Sequence, residues 1–137
     1  MMVAGNALVV DNEDDQRRLL KRVLERSGFH VAVADSGEGA LSRFRKAPVD
    51  VVFTDLIMTG MDGVELCERL LEIAPRLAVI AVSGHIGLFE DERLARAGFA
   101  GFISKPYHIA DIEAQTRRVL SNENRQRNDS RADATPA

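Results

Sequence analysis

The chain has 137 residues, a formal net charge of −3, and 45% hydrophobic and 28% charged residues, which fits one domain with its own core, or a small domain with a tail. Lys and Arg number 18 against 21 Asp and Glu, so there is no global positive field for nucleic acid or an anionic membrane. One cysteine, Cys67, excludes an internal disulfide, no run approaches the roughly 18 apolar residues of a membrane span, and no leader pattern is seen, so the reducing cytoplasm is expected.

Short apolar runs alternate with segments of helical period as far as residue 120. Ala7-Leu8-Val9-Val10 predicts a first strand. Leu19, Leu20, Val23 and Leu24 then recur on a helix rich in Arg and Lys that Gly28 ends. Val31–Ala34 predicts a second strand, and Ser36 is placed to cap a helix burying Ala40, Leu41 and Phe44. After Pro48 come a third strand over Val49–Thr54 and a helix over Val64–Ala74 with Leu66, Cys67, Leu70 and Leu71 inward, stopped by Pro75. Leu77–Val82 predicts a fourth strand, Glu90–Ala97 a fourth helix, Ala100–Ile103 a fifth strand and Ile109–Leu120 a fifth helix. From Ser121 the chain lacks any large apolar residue, and a disordered polar tail is expected over residues 121–137.

Strands that are apolar on both faces belong to a parallel sheet covered by helices on both sides. Such doubly wound α/β folds bind ligands beyond the carboxyl ends of their strands. Those ends carry chemistry here. Asp11 follows the first strand within Asp11-Asn12-Glu13-Asp14-Asp15, where Asp14 and Asp15 suit the first turn of a helix. Asp55 closes the third strand, Ser83-Gly84 the fourth, and Ser104-Lys105-Pro106 the fifth. Each alone is ordinary, as a cap, a turn or a surface lysine. Together, with strand order 2-1-3-4-5, they face one crevice: two carboxylates suited to Mg²⁺, opposite an ammonium and a hydroxyl suited to phosphoryl oxygens.

In this order the residues resemble the receiver domain of two-component signalling, the response-regulator family, over roughly residues 6–120. That family has an acidic pair after its first strand, a phosphorylated aspartate in a D-x-x-M-P-x-M-D-G-like string, Thr or Ser at the fourth strand and Lys-Pro after the fifth. Here these are Asp11 with Asn12, Asp55 within Asp55-Leu56-Ile57-Met58-Thr59-Gly60-Met61-Asp62-Gly63, Ser83, and Lys105-Pro106. The resemblance implies a CheY-like α/β fold: a doubly wound five-stranded parallel sheet, order 2-1-3-4-5, with helices on both faces. It implies a phosphoacceptor rather than an enzyme. Asp55 takes a phosphoryl group from a histidine kinase or histidine phosphotransfer protein, with Mg²⁺ on Asp11, Asn12, Asp55 and the Ile57 carbonyl. Lys105 and Ser83 then hold phosphoryl oxygens, Phe102 turns inward as a switch, and Pro106 is a candidate for a cis peptide. Downstream contacts are expected through the fourth helix, fifth strand and fifth helix, in a monomer or phosphorylation-dependent dimer with no nucleic-acid or membrane partner.

Three departures stand out. Asn12 replaces the second acid and removes a formal charge from the metal site. Thr59 stands where proline is usual. Phe102 stands where Tyr is frequent, and its apolar ring is expected to rest inward even without phosphate. His85, Ile86, Leu88 and Phe89 are candidates for a mobile contact surface, His85 being read as a solvated loop histidine. The alternatives are a receiver-like binding module that has lost its metal chemistry through Asn12, and a receiver fragment of a hybrid kinase. A haloacid-dehalogenase-like phosphatase would need D-x-D at the first strand, and flavin binding would need a phosphate-cradling loop after the first strand, where the acids of residues 11–15 would repel the phosphate.

Overall fold

Alternation of side chains across a strand sends Leu8 and Val10 to one face of the sheet and Ala7 and Val9 to the other, and all four are buried. The computed structural model describes residues 5–84 and 91–134, without the side chains of 91 and 122–134. The described elements are β1 (Gly5–Val10), α1 (Asp14–Arg26), β2 (Phe29–Ala34), α2 (Gly37–Lys46), β3 (Val51–Thr54), α3 (Gly63–Ile73), β4 (Ala78–Ser83), α4 (Asp91–Ala97), β5 (Gly101–Ser104) and α5 (Ile109–Ala134). The five strands pair in parallel in the order β2-β1-β3-β4-β5. One core lies between the sheet and α2, α3 and α4, around Leu8, Val52, Phe44 and Leu66. The other lies under α1 and α5, around Val9, Phe53, Leu24 and Ile112.

Local chemistry sets most boundaries. Ser36 Oγ accepts a hydrogen bond from Gly39 N–H at 3.0 Å and starts α2. Asp62 Oδ1 accepts from Glu65 N–H at 2.8 Å and starts α3. Asp14 and Asp15 lie in the first turn of α1, where they complement the helix dipole. Gly28, at φ 99°, carries the chain out of α1 in a conformation that an L side chain resists.

Some boundaries differ from expectation. The third strand starts at Val51 rather than Val49, because Asp50 Oδ2 accepts the Asn6 N–H at 2.8 Å, a bond from a side chain where a ladder would have used a carbonyl. The fourth strand extends to Ser83, paired with Ser104. The fifth helix was expected to end at Leu120, before a disordered tail. It continues to Ala134, and no Gly or Pro interrupts the sequence between Ser121 and Thr135. Glu90 and the contact-surface candidates His85, Ile86, Leu88 and Phe89 lie outside the described residues. Among the described residues no helix is long and apolar enough to cross a membrane.

A close backbone approach joins α3 to the end of β3. Gly63 N–H donates to Leu56 O at 2.8 Å, and a Cβ at Gly63 would lie 2.1 Å from Asp55 O. Since the obstacle is backbone, Gly63→Ala must displace either α3 or the loop. A loss of about 1–3 kcal/mol is expected, read as a lower urea midpoint. Cys67, buried in α3, donates its Sγ–H to Ala97 O at 3.3 Å. Burial, aided by the charge of Glu68, pushes its thiol up to about 12. Cys67 is therefore expected to resist a disulfide-exchange reagent in the native protein and to react once urea unfolds it.

Candidate phosphoryl-acceptor site

The site is built where the ladder runs one residue past the strands. Asp11 N–H donates to Ala34 O at 3.2 Å, Asp55 N–H to Val10 O at 3.0 Å, and Lys105 N–H to Ser83 O at 3.1 Å. These bonds hold Asp11, Asp55, Ser83 and Lys105 in one row at the carboxyl edge of the sheet, as the spacing along the sequence had suggested. Asp11, Asp55 and Ser83 are buried.

The side chains converge on one ammonium. Lys105 Nζ donates to Asp11 Oδ2 at 2.9 Å and to Asp55 Oδ2 at 3.4 Å. The second oxygen of each carboxylate is tied to the main chain. Asp11 Oδ1 accepts from Glu13 N–H at 2.9 Å, and Asp55 Oδ1 accepts from Leu56 N–H at 2.7 Å and Ile57 N–H at 3.4 Å. Burial draws the Lys105 pKa down, but the hydrogen bond and charge of Asp11, followed by those of Asp55, outweigh it and leave the net value above 10.5. Two carboxylates and one ammonium leave the row one negative charge in excess.

Asn12 and Glu13 are exposed beside Asp11, and Ile57 is exposed beside Asp55. Two buried carboxylates, an amide oxygen and a main-chain carbonyl make an all-oxygen donor set, and Mg²⁺ takes one or two carboxylates and completes its shell with water and phosphate. The residues present therefore fit Mg²⁺. The described residues hold no cluster of three acidic, His or Cys side chains, and Asn12 brings an uncharged amide where an acid would have added a carboxylate.

Phe102 differs from its sequence reading. Its ring is turned outward, 38% exposed. Gly101 and Ile103 take the inward positions of β5, so alternation sends Phe102 out. There its ring meets Phe99, with centroids 5.6 Å apart and planes tilted by 52°. The Lys105–Pro106 peptide is cis.

Several supporting residues went unnoticed in the sequence. Arg17 Nη1 donates to Asp11 O at 2.7 Å, and Arg17 also pairs with Asp14. The placement of Arg17 one turn into α1 was the available signal. Thr54 Oγ1 donates to Asp55 O at 2.8 Å. Glu38 Oε1 accepts from Met61 N–H at 3.3 Å, holding the loop in which Gly60 adopts φ +80°; nothing local announces this contact across 23 residues. Tyr107, two residues after Lys105, lines the same pocket as Asp11 and Asp55. Burial raises the pKa of its hydroxyl, Lys105 opposes the rise and Asp11 adds to it.

A family model described as the response regulator receiver domain matches residues 7–117. The chain belongs to this family, whose domains are signalling modules phosphorylated on an aspartate. It is 34% identical to the response regulator receiver protein CpdR of Brucella abortus (strain 2308), over 82% of this chain and 94% of that protein. A crystal structure of a response regulator receiver domain protein from Clostridium thermocellum superposes with a TM-score of 0.80 at 26% identity, over 87% of this chain and 96% of that one. The structure of NtrX from Brucella abortus superposes with a TM-score of 0.87 at 28% identity, over 93% of this chain but only 30% of the NtrX chain.

Removing the ammonium tests how the row is held together. Lys105→Met leaves two buried carboxylates facing each other and is expected to lower stability by about 1–3 kcal/mol in metal-free buffer at pH 7. That is less than for a fully buried pair because Lys105 keeps some contact with water. Since pairing raises the pKa of Lys105, its contribution is complete below pH 10.5 and fades as pH climbs through the raised value. Urea titrations of both proteins should therefore differ by a constant amount between pH 7 and about pH 10 and converge in stronger alkali.

Proposed function

We propose that Asp55 is the phosphoacceptor of a receiver domain that takes its phosphoryl group from a phosphohistidine on a kinase or phosphotransfer protein and signals through protein contacts. The observation that carries this reading is the convergence of the buried carboxylates of Asp11 and Asp55 on Lys105 Nζ. Because Asp55 Oδ1 is held by two main-chain N–H groups, Oδ2 is the oxygen left to attack. A bond forms from Oδ2 to phosphorus as the phosphorus–nitrogen bond of the phosphohistidine breaks, and the leaving imidazole takes a proton from solvent.

Asp11, Asn12, Asp55 and the Ile57 carbonyl would hold Mg²⁺, which when bound offsets charge on the phosphoryl oxygens. Lys105 exchanges part of its bonding to Asp11 and Asp55 for a phosphoryl oxygen. Ser83, buried at the end of β4 next to the Lys105 main chain, donates its hydroxyl to another. Phe102 then turns from its outward position, which changes the surface of β5 and its neighbours α4 and α5 and biases it between two states. The exposed Asn12 and the two-carboxylate centre favour a second reading, a binding module whose metal chemistry has weakened.

Incubation with acetyl phosphate and Mg²⁺ should add one phosphate-sized mass to the intact protein, and the addition should vanish in Asp55→Asn or without Mg²⁺. An adduct that persists in Asp55→Asn refutes the assignment. Asn12→Asp restores a charged ligand and is expected to bind Mg²⁺ several-fold more tightly in a titration without phosphodonor; adduct formation in this variant alone would give the binding-module reading the lead.

A further inference from the structure

A small pocket is lined in part by the two carboxylates. Its polar lining is formed by Asp11, Gln16, Thr54, Asp55, Lys105 and Tyr107, and it leaves about 10 Å³ for the centre of a water molecule, roughly the room that one buried water needs. The hydroxyl of Tyr107 is buried and has no hydrogen-bond partner in the protein. Its ring is half-buried against the core under α1 and α5. A buried hydroxyl left in this state carries a desolvation cost that a phenylalanine would avoid.

The polar groups that line the pocket with Tyr107 match the needs of one water. Asp11 has one donor on each oxygen, Glu13 N–H on Oδ1 and Lys105 on Oδ2, and each oxygen can accept another. Gln16, in the first turn of α1, brings an amide with both donor and acceptor capacity. A water here would have three polar partners, the usual number for a buried one. We propose that Tyr107 is a positioning residue for the metal site, acting through one buried water that its hydroxyl shares with Gln16 and that fixes the orientation of the Asp11 carboxylate. The inference rests on the reading of Asp11 as a Mg²⁺ ligand. Groups just outside a metal's ligands commonly set its affinity by orienting them.

The chain contains one Tyr and no Trp, so under excitation at wavelengths that phenylalanine does not absorb its intrinsic emission comes from Tyr107 alone. Mg²⁺ titrated into the full chain without phosphodonor should change that emission, and the change should be lost in Asp11→Asn. By calorimetry, Tyr107→Phe and Gln16→Leu are each expected to weaken Mg²⁺ binding about tenfold, and the double variant to be no weaker than either single one, since both remove the same water. Tyr107→Phe should also lower the Tm by roughly 2–5 °C, because it strands the water's other partners. A higher Tm in Tyr107→Phe shows an unbridged hydroxyl and overturns the proposal. Unchanged Mg²⁺ affinity in Tyr107→Phe, or additive losses in the double variant, overturns it as well. A wild-type chain that binds no Mg²⁺ defeats both this inference and the metal-assisted reading, whereas one that binds Mg²⁺ yet forms no Asp55 adduct defeats the phosphoacceptor reading alone.

Discussion

Two buried carboxylates sharing one ammonium is the arrangement on which the rest of this molecule turns. A carboxylate at the end of an apolar strand loses most of its hydration, and without a counter-charge it would be costly to keep ionised. Asp11 and Asp55 lie on adjacent strands, where their mutual repulsion adds to that cost. Lys105, arriving from β5 at the far edge of the sheet, relieves both with bonds of 2.9 and 3.4 Å. Its reach fixes much of the architecture, since β4 and Ser83 must lie between the lysine and the acids. The balance is incomplete by one negative charge, and that residue of charge makes the row receptive to a cation.

Polar contacts tie the loop that carries Asp55 to α2, α3 and α4. Its outer part is held by Glu38 at the start of α2. Its last residue, Asp62, caps α3 through Oδ1 and pairs through Oδ2 with Arg93 of α4 at 3.2 Å. Asp62 and Arg93 are both partly exposed, and exposed pairs contribute little to stability. Such a contact can be exchanged at small cost as the loop changes shape. It provides a physical link between the neighbourhood of Asp55 and α4 that does not depend on rearranging the sheet.

The sheet was legible in the sequence because its strands are apolar on both faces and because Gly28, Pro48 and Pro75 punctuate the chain where elements end. Asp11, Asp55, Ser83 and Lys105 were legible for a related reason: polar residues directly after such strands stand out against Val, Leu and Ile. Phe102 was misread because the apolar character of its ring was weighed above the alternation of β5, which sends it outward; Phe99, which it meets there, belongs to the preceding turn. Tyr107 and Arg17 were overlooked because their significance comes from what folding brings near, and a tyrosine after Lys-Pro or an arginine in a basic helix looks unremarkable in one dimension. The end of α5 was placed too early, at Leu120, because polar composition does not by itself stop a helix that no Gly or Pro interrupts.

The ladder bonds that run past the strand ends give the sheet a second role, as a device for addressing residues. Side chains of a strand alternate between faces, so a slip of one residue in the pairing of β1 with β3 would exchange the two cores and replace Asp11 in the row by Val10 or Asn12. The apolar pattern that makes such a slip energetically forbidding thereby specifies which residue stands at each strand end. In this protein the address of the chemistry is written by residues that take no part in it.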